Sequence, residues 1–237
     1  MEKNIVLIYG WGASFAKLKP LKEELEGLDW SVFIPRLPGF DLKPAKNVWG
    51  VENYSRYIFR KAKNVFKKEK FFVFGHSFGG RMAIRTCSLY PERLKGIILC
   101  ASGGISRGSF IKRSIFFVLA KGGKTFLFIP PLANLFEKLL YKLAREHDYE
   151  KAQGVMKKVM RRVISEDLKK DVYKIRLPVL IFWGKLDKIT PYKDALFLKK
   201  SIKGSKLISY WKEGHQLPYR KPKSLAREID KWSTNLN

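Results

Sequence analysis

The chain has 237 residues, 46% of them hydrophobic, with 17 Phe, 10 Tyr and 6 Trp. That size and composition bury a real core, as one domain with an insertion or as two small ones, and exclude a disordered chain. Against 21 Asp and Glu stand 48 Lys and Arg, a formal charge of +27, which raises non-specific affinity for nucleic acid, anionic lipid or an acidic partner protein.

The N-terminal MEKNIVLIYG has one lysine and then an apolar run too short for a secretory signal, so Asn4–Tyr9 is read as a first strand. Leu18–Gly27 has helical spacing, with Pro20 tolerated in its first turn and Gly27 as the stop. Trp30–Ile34 is a second strand. Asn53 is expected to cap a helix over Tyr54–Lys68, whose apolar positions Tyr54, Ile58, Ala62 and Val65 share one face. Phe71–Phe74 is a third strand and runs into a helix from Phe78 to Tyr90. Gly96–Ala101, Val179–Trp183 and Lys206–Trp211 are further strands, and Lys193–Ser201 and Lys223–Trp232 further helices. Strands that are apolar nearly throughout, alternating with helices, predict an α/β fold with a mostly parallel sheet covered on both faces.

Between Ser102 and Leu177 the alternation stops. Phe110–Ala120, Leu132–Arg145, Glu150–Ile164 and Glu166–Tyr173 have helical, amphipathic spacing, broken by Gly122-Gly123 and Pro130-Pro131. The expected organisation is a core of 1–102 and 178–237 with an all-helical cap inserted at 103–177. Apolar residues of that block such as Phe116, Phe117, Leu139 and Leu140 are read chiefly as packing. Basic residues are spread evenly inside and outside the block, and no basic run is interleaved with aromatics. This is a generally basic surface rather than a specific nucleic-acid site. No uncharged apolar run reaches the roughly eighteen residues of a membrane span. Cys87 and Cys100 sit in apolar sequence and read as buried thiols, which points to a cytoplasmic chain without a disulfide framework.

The chemistry concentrates at strand ends, where open parallel sheets bind their ligands. The third strand enters Gly75-His76-Ser77-Phe78-Gly79. A serine held out on a sharp strand-to-helix turn needs small residues two places before and after it, because strand and helix crowd the turn. A serine nucleophile also needs a base. Of the three histidines, His76 is locked beside the serine and His147 lies in AREHDYE at the end of a cap helix. His215, in YWKEGHQLP just after the last strand, is the candidate. Asp187, in WGKLDKITP after the strand Val179–Trp183, is placed to orient it, whereas Asp171 and Asp194 lie in or near predicted helices. Ser77, Asp187 and His215 follow one of the known chain orders of a Ser-Asp-His triad. Two backbone N–H groups are needed for the developing oxyanion. Phe78 supplies one, and Trp11, in the loop Tyr9-Gly10-Trp11-Gly12-Ala13-Ser14, the other.

These stretches, with PRLPGFD between them, resemble the α/β-hydrolase family, specifically its capped carboxylesterase-like branch. The resemblance covers most of the chain, with Ser77, Asp187 and His215 on the family's nucleophile, acid and base positions and Trp11 and Phe78 on its oxyanion-hole positions. It implies acyl transfer through an acyl-enzyme, with no metal or organic cofactor, on a small ester with an apolar acyl or alcohol part. Lactonases, C–C bond hydrolases, acyltransferases and acyl-carrier-protein methyl esterases share the resemblance, and a basic cap suits an acidic carrier protein. The reading from another class is a non-catalytic basic binding protein on the same scaffold. Two positions depart from the family pattern: Tyr9 stands where a histidine is usual, and Arg36 where an aspartate commonly precedes Leu-Pro-Gly.

Overall fold

The computed structural model describes residues 2–105 and 154–236. Six strands form one sheet in the spatial order β2-β1-β3-β4-β5-β6: β1 Lys3–Ile8, β2 Trp30–Phe33, β3 Phe71–His76, β4 Leu94–Cys100, β5 Val179–Gly184 and β6 Lys206–Tyr210. Every pairing is parallel. The strand order reverses between β1 and β3, so the connections leaving these two strands diverge and open a crevice at their carboxyl ends. β3 and β5 are buried along their whole length, whereas the outer strand β6 is half-buried. That gradient explains why FFVFGH and VLIFWG are near-continuous apolar runs.

Neighbouring residues of β3 point to opposite faces. The Phe71 ring meets Phe59 and Phe66 of helix α2 (Val51–Phe66), while the Phe72 ring meets Trp30 and Trp232. Trp232 lies on the C-terminal helix Pro222–Thr234, so the sheet is covered on both sides. This is the α/β-hydrolase fold. Helix α1, Lys19–Glu26, has Pro20 in its first turn as expected. Helix α2 begins three residues earlier than the sequence suggests, because Gly50 and not Asn53 is its N-cap. Asn53 sits one turn inside and its Oδ1 accepts the Gly50 N–H at 2.9 Å, while Glu166 Oε1 accepts the next N–H, that of Val51, at 3.1 Å. A side chain reaching back from the third position does the work assigned to a cap.

Helix α3, Phe78–Leu89, follows β3 directly. After residue 153 the chain returns as α4, Val155–Ser165, and the short α5, Lys169–Val172. Met156, Val159, Met160 and Val163 are the buried stripe of α4. Arg81 of α3 donates to the Val163 and Glu166 carbonyls at 2.9 Å each, and Arg162 to Val48 O at 3.0 Å. The expected helices Phe110–Ala120 and Leu132–Arg145, the Gly-Gly and Pro-Pro breaks, the apolar residues Phe116 to Leu140 and His147 lie outside the described residues. Helices α6, Tyr192–Ser201, α7, Leu217–Arg220, and α8, Pro222–Thr234, complete the chain. The sequence reading missed α7. Among the described residues no helix is long and apolar enough to cross a membrane.

Candidate active site

Ser77 is the one residue of Phe71–Gly80 that is not buried. Its backbone has φ 52° and ψ −111°, a left-handed conformation that costs a non-glycine residue about 1–3 kcal/mol. Its neighbours show why the turn persists. A Cβ on Gly75 would stand 2.4 Å from Gly79 O, and one on Gly79 would stand 2.3 Å from Ile8 O. No side chain fits between the end of β1, the end of β3 and the start of α3. Three backbone bonds pin the serine itself: its N–H donates to Cys100 O at 3.1 Å, and its carbonyl accepts from Gly80 at 3.0 Å and Gly103 at 2.9 Å.

Phe78 is the first residue of α3, so its N–H is among the helix donors with no acceptor inside the helix. The loop after β1 lies directly against the serine: a Cβ on Gly10 would stand 3.4 Å from Ser77 Cβ. Trp11, next in that loop, sets its ring edge-on to Phe40 at 5.0 Å and to Phe78 at 5.4 Å. An aromatic wall thus borders the loop and the helix start.

Asp187 follows β5 and His215 follows β6. The structure brings them together, with His215 Nδ1 2.9 Å from Asp187 Oδ2. An ionised carboxylate only accepts, so the proton of a neutral His215 lies on Nδ1 and Nε2 is left as an acceptor. Asp187 is gripped from its other side as well. Its Oδ1 accepts the Ile189 and Thr190 N–H groups at 2.8 and 2.9 Å, and its Oδ2 accepts the Thr190 hydroxyl at 2.8 Å. Burial raises its pKa, but the bonds from His215 and Thr190 outweigh burial and leave it below the ordinary carboxylate value. Asp171 is buried and paired with Arg85 at 3.3 Å, and Asp194 is buried in the first turn of α6. Neither is the partner of His215.

His76 is 2% exposed and makes two contacts that the sequence did not reveal. Its Nε2 is 2.8 Å from the His215 carbonyl oxygen and its Nδ1 is 3.1 Å from the Tyr219 hydroxyl. Burial, with the neighbouring His215, pushes its pKa down to about 3, so it is neutral. Thr190 was also missed, though the spacing Asp-x-x-Thr is the usual signature of a side chain closing its own loop. Tyr219 had no local signal. Among the described residues no group of three or more His, Cys, Asp and Glu could hold a metal ion.

A family model described as "Serine aminopeptidase, S33" matches residues 1–219. The chain belongs to this family of α/β hydrolases. It is 24% identical over 248 residues to the uncharacterized hydrolase YugF of Bacillus subtilis (strain 168), covering 96% of this chain and 89% of that protein. To a pimeloyl-[acyl-carrier protein] methyl ester esterase of Neisseria meningitidis serogroup C it is 25% identical over 234 residues, covering 90% of this chain and 86% of that one. A thermophilic esterase from Thermogutta terrifontis shares the fold with a TM-score of 0.71 at 20% identity, over 100% of this chain and 91% of that one.

The two departures of this hydrolase from the family pattern are accommodated differently. Tyr9 is fully buried; its hydroxyl is bonded to the Asp41 carboxylate and accepts the Leu37 N–H at 3.0 Å. Burial first, then Asp41, holds the phenol far above its ordinary pKa. Asp41 Oδ1 also accepts the Phe15 N–H at 3.2 Å, so this pair ties the loop after β1 to the loop after β2. Arg36 is exposed, with its guanidinium 4.7 Å from the Phe15 ring centroid.

Proposed function

We propose that this hydrolase cleaves carboxylic esters of apolar acyl or alcohol groups, with Ser77 as nucleophile, His215 as base and Asp187 as its orienting acid. One observation carries the reading: a strained, incompletely buried serine, wedged between Gly75 and Gly79, shares the carboxyl edge of the sheet with a histidine whose Nδ1 is bonded to a buried aspartate. Strain of this kind persists only where the surroundings over-determine it. Ser77 Oγ attacks the carbonyl carbon while His215 Nε2 takes its proton, and Asp187 stabilises the resulting imidazolium. The Trp11 and Phe78 N–H groups receive the oxyanion. His215 returns the proton to the leaving alkoxide, and a water deprotonated by His215 then releases the acid. The aromatic wall of Trp11, Phe40 and Phe78 favours apolar substituents.

The test is turnover of a chain-length series of p-nitrophenyl esters beside an aminoacyl p-nitroanilide series, for the wild type and Ser77→Ala. Ester turnover abolished by the substitution is expected. Activity that survives it, or faster turnover of the anilides, overturns the reading.

A carrier-bound ester is the second substrate reading, favoured by the basic surface of α4 and by the Neisseria relative. Reversing Lys158 to glutamate then raises KM for an ester on an acidic carrier protein and leaves a small free ester unaffected. Arg162 is unsuitable for this reversal, because it holds Val48 and pairs with Glu166.

A further inference from the structure

The two hydrogen bonds of His76 share one polarity. The His215 carbonyl can only accept, so His76 Nε2, 2.8 Å away, carries the proton of the neutral ring. Nδ1 is therefore an acceptor, and the Tyr219 hydroxyl at 3.1 Å must donate to it. Burial raises the Tyr219 pKa, and the neighbouring Gly10 N–H acts against that rise. Gly10 is close enough to the imidazole that a Cβ there would stand 3.0 Å from Nδ1. The polarity of these two bonds is fixed: Tyr219 O–H donates to His76 Nδ1, and His76 Nε2–H donates to His215 O, with Gly10 packed against the imidazole.

Three of the four strand ends that build the site meet at His76, two through hydrogen bonding and one through packing. Gly10 immediately precedes Trp11 in the loop after β1, His76 ends β3 beside Ser77, and His215 follows β6. The side chain of His215 is fixed to Asp187, but its main chain lies in an irregular loop. We propose that His76 and Tyr219 are positioning residues, a neutral hydrogen-bond chain that sets the His215 main chain and the Gly10–Trp11 loop in register across Ser77. The inference rests on the assignment of Ser77 and His215 as nucleophile and base. A neutral His76 leaves the cationic state to His215 alone, which keeps a second positive charge from forming 4.9 Å from its ring.

The experiment compares His76→Leu, His76→Gln, Tyr219→Phe and the double variant His76→Leu/Tyr219→Phe. Each is followed by steady-state ester hydrolysis, by the rate of fluorophosphonate labelling, and by thermal unfolding to measure the folded fraction. Gln places an amide N–H where Nε2–H stood, so it keeps the bond to the His215 carbonyl. Per folded enzyme, Leu and Phe are expected to lower kcat and the labelling rate on the order of tenfold to a hundredfold, with KM within about twofold. Gln recovers most of the loss, and the double variant is no slower than His76→Leu, because one chain is already broken. Labelling at the wild-type rate in folded Tyr219→Phe, a loss confined to KM, Gln as poor as Leu, or losses that multiply would each overturn the proposal. If His76→Leu does not fold, Tyr219→Phe, which removes one oxygen atom, decides alone by its kcat and labelling rate. Labelling that persists in Ser77→Ala is a different failure, that of the nucleophile assignment, and the inference falls with it.

Discussion

At the end of β3 the serine is held by backbone against backbone, whereas beyond β5 and β6 the side chains of Asp187 and His215 are oriented by hydrogen bonds. Around Ser77 the decisive distances are those that forbid a Cβ at Gly75 and Gly79, between segments pressed together by a buried parallel sheet. Around Asp187 they are hydrogen bonds of 2.8 to 2.9 Å, made by Ile189, Thr190 and His215. The first region is fixed by excluded volume, so a change there is felt by the whole fold. The second is fixed by donors and acceptors, so a change there is felt by proton placement.

The largest test of that difference is Asp187→Asn. The amide oxygen still accepts from the Ile189 and Thr190 N–H groups, so the fold should hold, but an amide N–H can now face His215 Nδ1 and reverse its tautomer. An expected fall in kcat of about 10⁴-fold, with an unchanged urea midpoint, would show chemistry separated from stability; a large stability loss would erase the contrast. Gly79→Ala is the reciprocal test. Its Cβ meets the Ile8 carbonyl at 2.3 Å, a backbone atom that cannot swing away, and overpacking there should cost about 3 kcal/mol, read as a lower urea midpoint. The smallest effect belongs to His76, which is faced by His215, Asp187 and Tyr219. Its folded pKa of about 3 lies below the ordinary 6.5, so the unfolded chain takes up the proton first. The stability tied to its neutral state is complete above that ordinary value and is lost as pH falls through the window, at up to about 1.4 kcal/mol per pH unit. Urea unfolding at pH 7, 6 and 5 should show a steeper loss in the wild type than in His76→Gln. Parallel slopes would mean that His76 does not stay neutral in the fold.

The same contrast explains what was legible in the sequence. Strands buried along their length, such as Phe71–His76 and Val179–Gly184, carry their burial in composition, and the paired glycines around Ser77 are a local consequence of local crowding. Strand existence and order of chemistry could therefore be read directly. The acceptors of a folded loop are not local. Tyr219 lies 143 residues from the imidazole it meets, and nothing in Leu-Pro-Tyr-Arg announces that contact. Asn53 was misassigned for the related reason that Asn serves a helix start from more than one position, and only the backbone angles of Gly50 decide which. The exchange of the expected histidine for Tyr9 was visible as a departure, but its partner Asp41 lies 32 residues on and became visible only with the fold.

The position of β6 has a consequence for synthesis. Among the described residues it is both the last strand in sequence and an edge of the sheet, and a parallel partner can join β5 only after a crossover has been completed. The segment 2–205 already contains the serine turn, the loop bearing Trp11, and Asp187 in the bend after β5. It lacks Lys206–Tyr210 and, just beyond them, the imidazole that Asp187 holds. The proposed chemistry is thus assembled in an order set by the ribosome: the reactive turn is encoded early, and the group that would arm it is the last to arrive. A nascent chain carries its strained serine unarmed until β6 docks along β5.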